Sequence, residues 1–373
     1  MKILQIINLI PIIFLIISYI LWNTYGRDTK IKSKYVSKLP PIPLPLISLI
    51  HNGSIRREDI ILLILDLSNK GYIKIEEESN NNFKLTKIKD HEERKSKEAK
   101  FLKELFSKNN TISLDDYINM VSKKEDIITK EQIKTIESDS LVRRFKYMYK
   151  NSIELFNQEK NKYYEIESDN KKIYLVFMLS IILFSITIYP FYVNKLLKYL
   201  PFALLFSIGT LALVINFVNK LDLEYISKKQ ILFCTFILIV LWLTFLLPIF
   251  SITAEYLISY FIATLSIIVI LVLYRYMPKR TILGTRLRNE IEGYKTYLKD
   301  DNYIKEELKH NKYFLYELLP YSYIFGINDE LIKLIKENNC PKPKNYYTGN
   351  DYTPTKYYNS INRFINTLNN VNR

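Results

Sequence analysis

The chain has 373 residues, 48% of them hydrophobic, and a formal net charge of +15 from 53 Lys and Arg against 38 Asp and Glu. Charge is nearly absent from several long apolar runs and dense elsewhere, and basic residues outnumber acidic ones on both sides of the central apolar block; this is the pattern of the cytoplasmic parts of a membrane protein rather than of one nucleic-acid patch. Two cysteines in unlike settings, Cys234 in an apolar run and Cys340 near the end, exclude a disulfide framework, and His51, His91 and His310 have no zinc-type spacing.

Residues 1–22 carry one Lys and then an apolar run long enough to span a bilayer. It has no small-residue cleavage site, so a retained anchor is expected rather than a removed signal peptide. Arg27, Lys30, Lys32, Lys34 and Lys38 follow it against Lys2 alone before it, which places the N-terminus outside and residues 23–39, a basic linker, inside. Leu39 to Pro45 is proline-rich and cannot be helical throughout, because each Pro lacks a donor and pushes its predecessor toward extended geometry.

Residues 40–172 read as a cytoplasmic domain. From Ser54, a candidate N-cap, a helix runs to Gly71, with Ile60 to Leu67 apolar on most faces and therefore buried. Alternating stretches on either side of a turn at Ser79 to Asn82 then predict a β-hairpin, so a small winged-helix-like α+β unit is expected. DNA binding is disfavoured: Arg56, Arg57 and Lys70 sit only at the helix ends, and Glu76, Glu77 and Glu78 on the strand would repel phosphates. His51 is expected to be solvated or to cap a helix. An amphipathic helix from His91 to Ser107 carries Phe101, Leu102, Leu105 and Phe106, Thr111 to Met120 is a strand or short helix, and a mostly helical stretch leads back to the membrane. Asp115 and Asp116 are adjacent first-turn carboxylates that complement a helix dipole rather than an acid/base pair.

Residues 173–276 contain four apolar runs, each about 20 residues long, which matches a hydrocarbon core of about 30 Å. Apart from Tyr and Trp, only Ser, Thr, Asn216 and Cys234 are polar there, and no Asp, Glu, Lys, Arg or His interrupts them, which argues against an ion pathway. With the first segment they predict five spans, and the Arg and Lys from Arg275 to Arg288 return the chain to the cytoplasm. Residues 277–340 read as a cytoplasmic helical domain, with one helix from Tyr303 stopped by Pro320 and another over Asp329 to Glu337. Residues 341–373, rich in Asn, Tyr, Lys and Pro, are expected to be disordered.

The fold class expected is therefore mainly α: a multi-span α-helical membrane protein with a small winged-helix-like cytoplasmic domain. No nucleophile elbow, metalloprotease, Walker or dinucleotide motif is present. No catalytic, cofactor-binding or metal-ligating residue is assigned, and Glu255, the one acid near the outer face, is too little for a mechanism. The expected partners are the lipid bilayer and either a protein partner or a second copy, with nucleic acid disfavoured and no small-molecule ligand identified. A transporter of a neutral solute and a membrane-tethered nucleic-acid-binding regulator are the alternatives.

Ordered motifs run through the chain: Gly26, Arg27 and Asp28; Pro40 and Pro41; Leu65, Asp66, Leu67, Gly71 and Tyr72; Thr281 and Gly284; Gly293, Tyr294, Tyr297 and Leu298; and Leu319, Pro320, Tyr321 and Gly326. In this order they resemble the C-terminal portion of the DUF2207 family of predicted membrane proteins, from about Trp22 to Lys336. The resemblance implies architecture and membrane localisation, and no activity. It also implies that this chain corresponds to the family's membrane and cytoplasmic half, since only Met1 and Lys2 stand where family members carry a signal and an extracytoplasmic β-rich domain.

Overall fold

The computed structural model describes residues 2–30, 38–79, 82–107, 109–114, 141–193, 195, 197–220, 254–338, 340–347 and 352–370. The apolar run 231–250 with Cys234, and the Asp115–Asp116 pair, lie outside these. The chain is mostly helical with one small sheet. In order it forms α1 (Lys2–Leu21), α2 (Leu44–Asn52), α3 (Arg57–Asn69), β1 (Ile73–Ser79), β2 (Asn82–Lys87), α4 (Lys97–Leu105) and β3 (Thr111–Ser113). Then come α5 (Leu141–Asn157), α6 (Lys160–Tyr163), α7 (Ile166–Val193), α8 (Leu200–Lys220), α9 (Ala254–Arg275) and α10 (Ile282–Tyr297). The chain ends with α11 (Asp301–His310), α12 (Phe314–Phe325), α13 (Asn328–Glu337), β4 (Tyr346–Tyr347) and α14 (Pro354–Asn370). It divides into two compact units: unit 1 holds residues 1–31 and 161–285, and unit 2 holds residues 32–160 and 286–373. Residues 40–160 and 286–340, most of the two stretches expected as cytoplasmic domains, fall in one unit, while 161–172 and 277–285 fall in the other.

Among its described residues, unit 1 is a helical bundle with three helices long and apolar enough to cross a membrane, Leu9–Gly26, Ile166–Val193 and Leu257–Arg275, and a shorter apolar one over Leu200–Asn216. Its core is drawn from one face of α7, with Leu175, Leu179, Ile182 and Ile186, and one face of α9, with Tyr260, Ala263, Ile270 and Tyr274. The opposite faces carry exposed Phe177, Phe202, Leu205 and Phe261, an inversion that water would penalise and hydrocarbon does not. Several Ser and Thr hydroxyls on these helices donate back to their own turns, as Thr187 does to the Leu183 carbonyl at 2.7 Å, which satisfies them inside the helix, while Ser18 donates across to Met178 Sδ at 3.3 Å. Trp22 Nε1 donates to the Tyr276 carbonyl at 3.1 Å, and the ammonium groups of Lys171 and Lys172 stand over the rings of Tyr25 and Tyr274. These contacts bring the C-terminal ends of α1 and α9 and the N-terminal end of α7 together at one end of the bundle.

Unit 2 is built around α3. Ile60, Ile61, Leu63, Ile64 and Leu67 are all fully enclosed, because α2, α5, α12, α14 and β1 surround the helix; a helix apolar on most faces is buried this way. The hairpin forms as its alternation predicts, with Ile73 and Ile75 of β1 and Phe83 and Leu85 of β2 turned inward. The sheet order is β3-β2-β1-β4, with β4 added parallel to β1. Gly71 has φ of 81°, and this positive angle turns the chain out of α3 into β1.

Several expectations are corrected. Ser54 does not cap α3; the Asp59 carboxylate accepts from the Arg56 N–H at 2.6 Å instead, so the helix starts later. His51 is not solvated: it lies within α2, is 1% exposed, and places Nδ1 3.1 Å from Glu292 Oε1 and its ring edge-on to Phe325. Pro320 does not stop a helix but sits inside α12, while the break falls at Asn311 to Tyr313, where Asn311 Oδ1 accepts from the Tyr313 N–H at 2.9 Å. The tail expected to be disordered contains α14, because Tyr357, Ile361, Phe364 and Leu368 recur at helical spacing and are buried, Phe364 edge-on to Phe83 at 5.3 Å.

Asp59 gives unit 2 a pH signature. Burial pushes its carboxyl up to about 6 against the opposing pull of Arg56, so the folded chain holds this proton more tightly than the unfolded one. Its contribution to stability therefore falls as pH rises from the ordinary 3.8 to about 6 and is level above that. Asp59→Asn should flatten this part of the profile in thermal melts taken from about pH 4 to about pH 7.

Candidate functional site

Two clusters gather the motif residues. The first lies in unit 1, where three segments of the chain are stitched together. Asp28 accepts from the Arg280 backbone N–H at 2.7 Å and from Arg280 Nη1 at 3.0 Å, and the guanidinium, 5% exposed on its residue, also covers the Tyr164 ring at 5.4 Å. Thr281 donates its N–H to the Tyr163 carbonyl at 2.9 Å and its hydroxyl to the Lys162 carbonyl at 2.7 Å. The same hydroxyl oxygen accepts from the Gly284 N–H at 3.1 Å, which caps α10. Gly284 must be glycine because a Cβ would run into the Tyr163 carbonyl, with its carbon and Cα at 3.0 and 3.1 Å. Gly26 is confined in the same way by Trp22 Cδ1 at 2.6 Å and Met277 Cα at 3.2 Å. Ser168 and Glu165 complete the seam, taking Lys279 N–H at 2.9 Å and Lys279 Nζ at 3.0 Å.

The second cluster lies in unit 2, along the end of α3, where each polar residue reaches a different segment. Asp66 accepts from the Tyr321 hydroxyl at 3.2 Å and lies 2.8 Å from Lys70 Nζ. Lys70 also reaches Glu98 Oε1 at 3.1 Å, and His91 Nε2 lies 3.8 Å from the other oxygen of Glu98. Ser68 and Asn345 exchange hydrogen bonds at 3.2 and 2.9 Å. Burial pushes the Asp66 carboxyl up while Lys70 pulls it down, and burial together with Asp66 holds the Tyr321 hydroxyl well above its ordinary value, so Tyr321 stays protonated and donates. The chemistry of the cluster is that of a clamp holding α12 and the tail to α3.

Asn69 explains how α12 tolerates its proline. Pro320 has no N–H for the Tyr316 carbonyl one turn back, and Asn69 Nδ2 donates to that carbonyl at 2.7 Å. Asn69→Ala should lower stability by roughly 1–3 kcal/mol by leaving the carbonyl unsatisfied. In a Pro320→Ala background, where the helix supplies its own donor, the same change should cost clearly less, which a double-mutant cycle of melting temperatures will resolve.

The residues weighed for chemistry do not converge. His51, His91 and His310 lie apart on α2, before α4 and at the end of α11, Cys340 is a buried thiol pushed up by burial, and Glu255 is in the first turn of α9. Among the described residues no group of three His, Cys, Asp or Glu is placed to hold a metal ion. The pairings Asp28–Arg280 and Asp66–Tyr321 were not foreseen; Asp66–Tyr321 joins two of the ordered motifs, and Asp28–Arg280 joins one motif to the residue directly before another. A family model described as "Predicted membrane protein (DUF2207) C-terminal domain" matches residues 32–335. No curated protein and no solved structure matches the chain.

Proposed function

The chain belongs to the DUF2207 family of predicted membrane proteins, and from that premise we propose that it is a multi-pass anchor carrying one winged-helix-like cytoplasmic module that binds a protein partner or a second copy of itself. The observation that carries this reading is that α1 and α9 leave the bundle at the end where α7 enters it, while the segments that follow α1, precede α7 and follow α9 share unit 2. A chain that returns to one face crosses the bilayer an even number of times between departures. Among the described residues α7 and α9 are two such crossings between the departures, and the number stays even provided that the apolar runs at 200–218 and 231–250 in the sequence both cross. The basic residues after α1 and after α9 favour the cytoplasmic side for this face.

The hairpin behind α2 and α3 supports the winged-helix-like description. A protein partner is favoured over nucleic acid because the cations of α3 are already engaged: Arg56 with Glu58 and Asp59, Arg57 over the Tyr149 ring at 5.7 Å, and Lys70 with Asp66 and Glu98. A tagged full-length chain captured from gently solubilised membranes should bring down one protein in stoichiometric amount, or a second, differently tagged copy. Recovery of neither removes the interaction reading and leaves the architecture standing.

A further inference from the structure

At the end of unit 1 where α1 and α9 finish, most carboxylates are matched: Asp28 with Arg280 at 3.0 Å, Glu165 with Lys279 at 3.0 Å and Asp169 with Lys172 at 2.9 Å. Lys171 differs. Its ammonium stands over the rings of Tyr25 at 4.9 Å and Tyr174 at 5.4 Å, and Glu167, one turn earlier on α7, forms no ion pair with it. Two residues beyond Tyr25, the exposed Arg27 gives Nη1 only to the neutral amide of Asn23 at 3.2 Å, and Lys30 is exposed nearby in sequence. Aromatic rings attract a cation without supplying a counter-charge. The surface turns apolar directly along α7, where Ile173 is 69% and Phe177 65% exposed, and Trp22, Tyr25, Tyr174 and Tyr276 ring the transition. Such amphipathic rings sit at headgroup depth, with hydrocarbon on one side and water on the other.

We infer that Lys171 and Arg27, supported by Lys30, bind the phosphodiester headgroup of an anionic phospholipid whose acyl chains lie along α7 beside Ile173 and Phe177. The inference rests on the reading of unit 1 as membrane-spanning. The rings of Tyr25 and Tyr174 hold the Lys171 ammonium in place before the lipid arrives, while Asp28, Glu165 and Asp169 are engaged with other cations.

The test is native mass spectrometry of the full-length chain released from nanodiscs, titrated with phosphatidylglycerol and with phosphatidylcholine. The wild type should bind phosphatidylglycerol more tightly, and Lys171→Gln and Arg27→Gln should each weaken it about 5-fold, the equivalent of about 1 kcal/mol per cation near an anionic headgroup. Lys171→Arg should remain near wild type. Lys198→Gln, which removes a cation over the single ring of Tyr199 at the far end of α7, should also remain near wild type, and both variants report a correctly folded chain. Equal affinity for the two lipids, or unchanged binding in both Gln variants, overturns the inference; binding of soluble glycerol phosphate as tight as that of the lipid overturns the lipid assignment. Failure of the chain to enter nanodiscs of either lipid would instead count against the membrane-spanning reading itself.

Discussion

Replacing Gly284 with alanine should destabilise the chain by about 3 kcal/mol or prevent its accumulation, because the new Cβ would meet the Tyr163 carbonyl and the overpacked seam cannot yield without breaking other bonds. That carbonyl accepts from the Thr281 N–H at 2.9 Å, and Thr281 is tied in turn to the Lys162 carbonyl, so moving either strand costs hydrogen bonds as well as contacts. Gly209 provides the control. Nothing lies within 4 Å of a Cβ built there, and Gly209→Ala in the exposed face of α8 should be neutral or should raise stability by up to about 1 kcal/mol through helix propensity. Melting temperatures of the two variants in the same detergent, read by fluorescence-detected size exclusion, separate a local clash from a general effect of adding a methyl group.

The second large effect is expected at Asp28. Asp28→Ala removes a carboxylate that satisfies both the backbone N–H and the guanidinium of Arg280, and Arg280 is 5% exposed. Breaking a buried pair by taking one partner costs several kcal/mol; allowing for the partial exposure of Asp28, the expected loss is about 2 kcal/mol. Asp28→Asn, which keeps an acceptor for the Arg280 N–H, should cost less. The double variant with Arg280→Ala should cost less than the two single variants together, since the desolvated charge is then gone as well. Additive losses in that cycle would mean that the pair contributes nothing beyond two independent contacts.

The elements with strong periodicity were legible in the sequence. α3 could be placed because Ile60 to Leu67 is apolar on most faces, the hairpin because Ile73, Ile75, Phe83 and Leu85 alternate, and the apolar helices of unit 1 because few other structures can use such runs. α14 was missed although Tyr357, Ile361, Phe364 and Leu368 have helical spacing, since the surrounding Asn, Lys and Tyr resemble the rest of a chain rich in those residues and the partner surface is Phe83, about 280 residues earlier. Pro320 misled for a similar reason. A proline inside a helix is compatible with the fold only if some donor reaches the stranded carbonyl, and Asn69 is that donor from a distant part of the chain. The clusters were the least legible part: the motifs Gly26-Arg27-Asp28 and Thr281 to Gly284 are far apart in sequence, and they go together through Asp28, which accepts from Arg280 beside Thr281, while Gly284 is fixed by its close approach to Tyr163.

The central proposal is that residues 32–160 and 286–373, which share one unit, lie on one side of the membrane. Its most direct test places single cysteines at Lys150, Lys333 and Lys198 in a background of Cys234→Ala and Cys340→Ala, and labels intact cells with a membrane-impermeant maleimide. Lys150 and Lys333 are exposed on their own helices, so access rather than burial decides the result. The account predicts labelling at Lys198 alone in intact cells, with Lys150 and Lys333 reacting only after lysis. Labelling of Lys333 but not Lys150 in intact cells would contradict it, because the two segments would then lie on opposite sides of the bilayer.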